Sequence, residues 1–192
     1  MSGPVQFHFR ERMLGPLAPG TDDPRTGASR GRVAGTVFVA DLRVCIDDLA
    51  ACVRDPQHPA RLEGTATFPG LATAQSLQGG QLLLYVPAPE GGAKLMRYRF
   101  SFRSDAGAEY FLDGTKVLHP PSASAREQVT LYSRVHEGGA GGPIWGAGIL
   151  VFRVRDLPAF VLSMRAVGAT RLQGLRTFLG FARRELTTPA AV

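Results

Sequence analysis

Hydrophobic and polar residues alternate with period two along most of the chain before Asp156. Period two is the signature of a strand with one buried face. The clearest case is 94–103. There Met96, Tyr98, Phe100 and Phe102 face one way, and Arg97, Arg99, Ser101 and Arg103 the other. The segment 5–13 sets Phe7, Phe9 and Met13 against His8, Arg10 and Arg12. Gly, Pro and Asp punctuation bounds further strands at about 33–46, 61–68, 77–86, 108–118, 128–136 and 144–155. Residues 15–31 read as a loop, and 47–54 as a short helical turn. Asp113-Gly114 reads either as a bend within its strand or as a turn that splits it.

After Arg155 the period changes. Asp156 has the chemistry of an N-cap, with Pro158 in the first turn. Phe160, Val161, Met164 and Val167 follow at helical spacing until Gly168 interrupts. A second helix is predicted over 170–186, with Leu172, Leu175, Leu179, Ala182 and Leu186 as its apolar stripe.

Short loops force neighbouring strands to be antiparallel. Eight antiparallel strands tend to close, because closure removes the exposed edges. The expected fold is therefore mainly β. It is an antiparallel barrel of about eight strands, with a C-terminal helical segment at about 156–186. A two-sheet sandwich is the rival. The 192 residues suit one domain, 1–192.

Charge and composition narrow the function classes. The net charge is +6, and Lys94 and Lys116 are the only lysines among 22 basic residues. The arginines are scattered, without interleaved aromatics, so a nucleic-acid interface is not expected. Arg171, Arg176, Arg183 and Arg184 read as a solvated helix face. No apolar run approaches the ~20 residues of a membrane-spanning helix. The N-terminus lacks the basic and apolar parts of a secretory signal. Cys45 and Cys52 have no metal-ligand spacing and read as free thiols in a reducing cytoplasm. His8, His58, His119 and His136 are equally unsuited to a metal site. No phosphate loop, dinucleotide fingerprint or serine elbow is present, so no cofactor is expected.

The candidate chemistry lies on the apolar strand faces. Glu11 falls on the face of Phe7, Phe9 and Met13. Burial of a carboxylate disfavours its charged form and suits it to acid–base work. A structural pair with an arginine, or a bulge that turns Glu11 outward, is the alternative. Lys116 could serve in a cavity as a cation or a base, or stand exposed on its strand. Tyr98 and Tyr110 flank one hairpin and could aim phenols inward. Glu11, Lys116 and Tyr98 are the catalytic candidates. Tyr110, Tyr132, Trp145, Phe9 and Phe100 are the candidate substrate contacts. Tyr132 shares a polar stripe with Thr130, Arg134 and His136 that lines either a lumen or the surface. Trp145 either caps a barrel mouth or anchors the core below its loop.

Several stretches together resemble a bacterial family. They are 9–15, 96–102 (Met-Arg-Tyr-Arg-Phe-Ser-Phe), 107–117, 129–132 and 146–150. They are similar to the β-rich module found beside GMC-type, cholesterol-oxidase-like oxidoreductases. The architecture also resembles calycin-like and allene-oxide-cyclase-like barrels, through strand count and ending alone. Either resemblance implies a barrel that handles an apolar small molecule such as a steroid, lipid or polyketide. No flavin-binding part is present, so flavin redox chemistry does not carry over.

Three functions compete. The first is a cofactor-free cyclase or isomerase of an apolar substrate, working by acid–base and conformational control. The second is a carrier that holds such a ligand unchanged. The third is a partner subunit of an oxidoreductase, and self-association as a homodimer is also open. Convergence of titratable groups inside the barrel is what separates the first from the second.

Overall fold

A computed structural model describes residues 3–118 and 129–187. Among them, strand order and register define a closed barrel. Its strands are β1 (Gln6–Pro19), β2 (Val37–Ile46), β3 (Pro59–Phe68), β5 (Gln78–Pro87), β6 (Lys94–Arg103), β7 (Glu109–Leu118), β8 (Thr130–Glu137) and β9 (Ile144–Phe152). Each pairs antiparallel with the next, and β9 returns to β1, closing the ring. Two short strands lie off the ring: β4 (Ala72–Ser76) on β3, and β10 (Arg165–Val167) on the first residues of β1. Asp113 and Gly114 lie within the continuous β7, so there is no turn there.

The period-two faces resolve as expected. Phe7, Phe9 and Met13 of β1 are buried with Phe38, Leu42 and Val44 of β2 and with Tyr98, Phe100 and Phe102 of β6. Aromatic rings fill much of this interior. Phe102 stacks on Tyr110 at 5.7 Å and meets Phe38 edge-on at 5.7 Å.

The segment 15–31 departs from the expected loop. β1 continues to Pro19, and α1 (Pro24–Ala34) follows. Asp23 caps α1 by accepting the Thr26 amide, Pro24 opens it, and Gly35 closes it in the left-handed region (φ 69°). Pro24, Gly27 and Gly31, with Thr26, Ser29 and Val33, give it low helix propensity, and it has no apolar stripe to show periodicity. Packing explains the glycines. A Cβ on Gly27 would stand 1.9 Å from the Ala147 carbonyl oxygen, and one on Gly31 2.6 Å from the Leu17 amide. Only glycine lets α1 lie this close to β1 and β9.

The C-terminal segment is also arranged differently. The first helix, α3 (Leu157–Ser163), follows a 3-10 turn and stops before Met164; Asp156 makes no side-chain cap. Val167 is therefore in β10 and not in the helix. The short α2 (Leu49–Arg54) lies where a helical turn was expected. The long helix is α4 (Arg171–Thr187); Leu175, Ala182 and Leu186 of the leucine stripe are half-buried against the core, but the most buried face lies beside that stripe. Gly174, Phe178 and Phe181 face inward, while Leu172 and Leu179 are exposed. The aromatic pair wins because the barrel end offers it rings. Phe178 stacks on Phe7 at 4.6 Å, and Phe181 meets His58 and Tyr85 edge-on at 4.8 and 5.4 Å. His58 (φ 44°) and Tyr85 (φ 55°) both adopt the left-handed region that non-glycine residues avoid. The β5 register shifts between Leu83 and Val86, which turns Tyr85 inward beside Leu84.

Candidate functional site

Glu11, Tyr98 and Lys116 meet inside the barrel. Tyr98 is on β6 directly opposite Gly114 of β7, and Lys116 lies two residues farther along β7 on the same inner face. Gly114 offers no side chain to occupy the space between them, and Leu131 covers it from β8, 3.1 Å from where a Cβ would stand. The Tyr98 phenol donates to Glu11 Oε2 at 3.0 Å. Lys116 Nζ donates to Glu11 Oε1 at 3.2 Å and to the Tyr98 hydroxyl oxygen at 3.3 Å. All three are buried: Glu11 is 8% exposed, Lys116 5% and Tyr98 0%. The bland alternatives, an exposed lysine and an arginine pair for Glu11, are therefore excluded.

Burial first, and the Glu11 charge second, hold the Tyr98 phenol well above its ordinary value. Tyr98 is thus a proton donor in this cluster and not a phenolate. Burial likewise raises the Tyr85 phenol, with Glu11 and Glu185 adding to the effect. Ser133 faces the same interior, fully buried, and its hydroxyl has no hydrogen-bond partner among the described residues.

The barrel wall is thin at Glu11. β9 pairs with β1 only as far as Met13, and β10 pairs only with Gln6–His8. Between these two ladders α3 lies along β1, and Ser163 Oγ accepts the Arg10 amide at 2.8 Å in place of a strand. A groove of ≈ 900 Å³ opens here between α3 and the wall. It runs along the outer side of the wall, where Arg10, Arg12, Asp41, Arg43 and Glu63 line it beside Glu11 and Phe160; Tyr98 and Lys116 do not.

The other candidates are distributed around this cluster. Phe9 packs against Phe160 of α3 and Phe178 of α4 at 5.1 and 5.5 Å. Phe100 is buried on β6 next to Tyr98's face. Tyr110 and Trp145 sit together toward the opposite end, with rings 5.6 Å apart and Phe68 against Trp145 at 5.4 Å. Trp145 is thus an anchor of that end. Tyr132 is on the outer face, because Leu131, Ser133 and Val135 take the inward positions of β8. It does not join the cluster. His119 lies outside the described residues.

A second polar cluster was not anticipated. Lys94 donates to Glu185 Oε2 at 2.7 Å, and His58 Nε2 lies 3.9 Å from the same oxygen. The His58 Nδ1 is 2.8 Å from the Cys52 carbonyl oxygen. This cluster ties α4 to the barrel end. Its signal was Glu185 continuing the Gly174, Phe178, Phe181 face at helical spacing. Burial pushes the Glu185 carboxyl up, but the hydrogen bond and charge of Lys94, with His58 and Arg184, outweigh it and lower it overall. A carboxyl lowered by folding stabilises the fold above its unfolded value and loses that contribution as pH falls through the folded value. Acidification below the ordinary 4.5 is therefore expected to loosen α4. Hydrogen exchange should show protection of 171–187 falling faster with acid in the parent than in Glu185→Gln. Equal pH sensitivity in the two would refute this role.

No group of three metal-ligating side chains occurs among the described residues. Both cysteines are free and buried; burial, then Asp55 and Asp48, pushes the Cys52 thiol up to about 11, far from a reactive thiolate. No helix among the described residues is long and apolar enough to cross a membrane. Comparisons of the chain with family models, with curated proteins and with solved structures find no match.

Proposed function

We propose that this barrel is a cofactor-free acid–base enzyme that isomerises or cyclises an apolar carbonyl compound. The observation that carries this reading is the meeting of Glu11, Tyr98 and Lys116 within hydrogen-bond distance inside an apolar interior. A carrier needs only an apolar lining. Converging titratable groups supply the parts of proton transfer.

In this reading the Glu11 carboxylate takes a proton from the carbon next to a substrate carbonyl. The C–H electron pair moves onto the carbonyl oxygen, and the Lys116 ammonium and Tyr98 phenol stabilise the enolate. Return of the proton at another carbon completes an isomerisation. Attack of the enolate carbon on a second carbonyl carbon of the same molecule closes a ring; that carbonyl's π pair goes to its oxygen, which takes the proton from Glu11. The Ser133 hydroxyl offers one further hydrogen bond to a polar atom of the ligand.

Glu11→Gln keeps the side chain's size and an oxygen to accept from Lys116, and removes the base. Its conversion of substrate is expected to fall by roughly 10²–10⁴, in protein whose circular dichroism matches the parent. The assay is turnover of a steroid enone, an unsaturated lipid ketone and a linear polyketone, followed by chromatography. Undiminished turnover by the variant would remove Glu11 from the reaction.

A further inference from the structure

The outward faces of α3 and α4 are unusual for a solvated surface. On α4, Leu172, Arg176, Leu179 and Arg183 recur at helical spacing on the side opposite Phe178 and Phe181, and all four are exposed. Leu172 is 59% and Leu179 49% exposed. On α3, Leu157, Val161 and Leu162 are exposed. The start of α4 adjoins the end of α3, because the Arg171 guanidinium reaches the Leu162 and Met164 carbonyl oxygens at 3.3 and 3.1 Å.

The charge on this surface is one-sided. Residues 153–187 contain seven arginines against Asp156 and Glu185, and Glu185 is engaged inside by Lys94. Among the described residues Arg153, Arg176 and Arg183 take part in no salt bridge shorter than 4.0 Å, as the pairs found there involve other arginines.

We propose that this face seats the protein on an anionic lipid surface. The aliphatic side chains enter the acyl boundary, and the arginines meet phosphates with their planar fork. A second copy of this chain is a poor occupant, since a two-fold contact would set arginine against arginine. The aliphatic side chains also favour lipid over protein: Leu and Val are under-represented among the residues that dominate protein interfaces, and this face has no exposed aromatic ring.

Co-sedimentation of the full chain with vesicles tests this. The chain should pellet with vesicles of phosphatidylcholine mixed with phosphatidylglycerol, and stay in solution with phosphatidylcholine alone. Arg176→Gln/Arg183→Gln should weaken binding roughly 25-fold, about fivefold for each arginine. Leu172→Gln/Leu179→Gln should weaken it at least roughly tenfold. All four positions are exposed, so the fold is retained. A parent chain that ignores the mixed vesicles overturns the proposal. So does binding that the leucine changes leave intact, since charge alone would then account for it. Capture by polyglutamate beads without vesicle binding would assign the face to an acidic polypeptide instead.

Discussion

Lys116→Met is expected to destabilise the fold by about 3–5 kcal/mol, because it leaves the Glu11 carboxylate buried without its cation. Lys116 Nζ is only 3.2 Å from Glu11 Oε1, and both side chains are under a tenth exposed. Exposed pairs in the same barrel offer the contrast. Arg12 and Asp41 are 3.3 Å apart with more than half of each side chain exposed, and breaking that pair should cost at most about 1 kcal/mol. The more informative variant is Glu11→Leu/Tyr98→Phe/Lys116→Met. It removes both charges and the phenol together, so no polar group of the cluster is left orphaned. Its stability should return to the parental value or exceed it, as desolvating two charges offsets much of their attraction. Urea unfolding of the three proteins measures this directly. If the triple variant is as unstable as Lys116→Met, the cluster is a structural element, and the argument that the barrel retains it for chemistry loses its ground.

Phe178→Ala is the second large effect, at about 3–5 kcal/mol. The ring stacks on Phe7 and touches Phe9 and Phe181. The loss should be local. α4 docks on one end of the barrel, while the barrel closes through its own ladders, including β1 with β9. Hydrogen exchange should therefore rise across 171–187 and change little in β2 and β6. Trp145 lies against Phe68 and Tyr110, away from the α4 contacts, so its fluorescence should be unaltered. A uniform rise in exchange over all strands would show that α4 and the barrel fold as one unit.

Much of this architecture is legible in the chain because a barrel wall with a packed interior forces alternation. Tyr98, Phe100 and Phe102 show it, and so does Glu11, whose face follows from counting two residues on from Phe9. What brings Glu11, Tyr98 and Lys116 together is not local. It depends on closure of the ring, which sets β1 within reach of β6 and β7 across the interior. The helices are harder to read. α1 is held by close backbone approach at Gly27 and Gly31, and that contact exists only after β1 and β9 have paired. In α4 two apolar stripes coexist, and the leucine stripe lies at the margin of the contact, with Leu175, Ala182 and Leu186 half-buried and Leu172 and Leu179 exposed. The aromatic stripe is buried because Phe7, His58 and Tyr85 receive its rings. Lys94 reads as a strand-end lysine until Glu185 arrives beside it from the other end of the chain.

Native mass spectrometry of the freshly purified chain, followed by solvent extraction of whatever it carries, tests the acid–base barrel most directly. The expected result is a bound apolar carbonyl compound that the parent protein converts on incubation and Glu11→Gln holds unchanged. A chain that arrives empty, and neither captures nor converts any steroid enone, unsaturated lipid ketone or polyketone offered to it, would contradict the account.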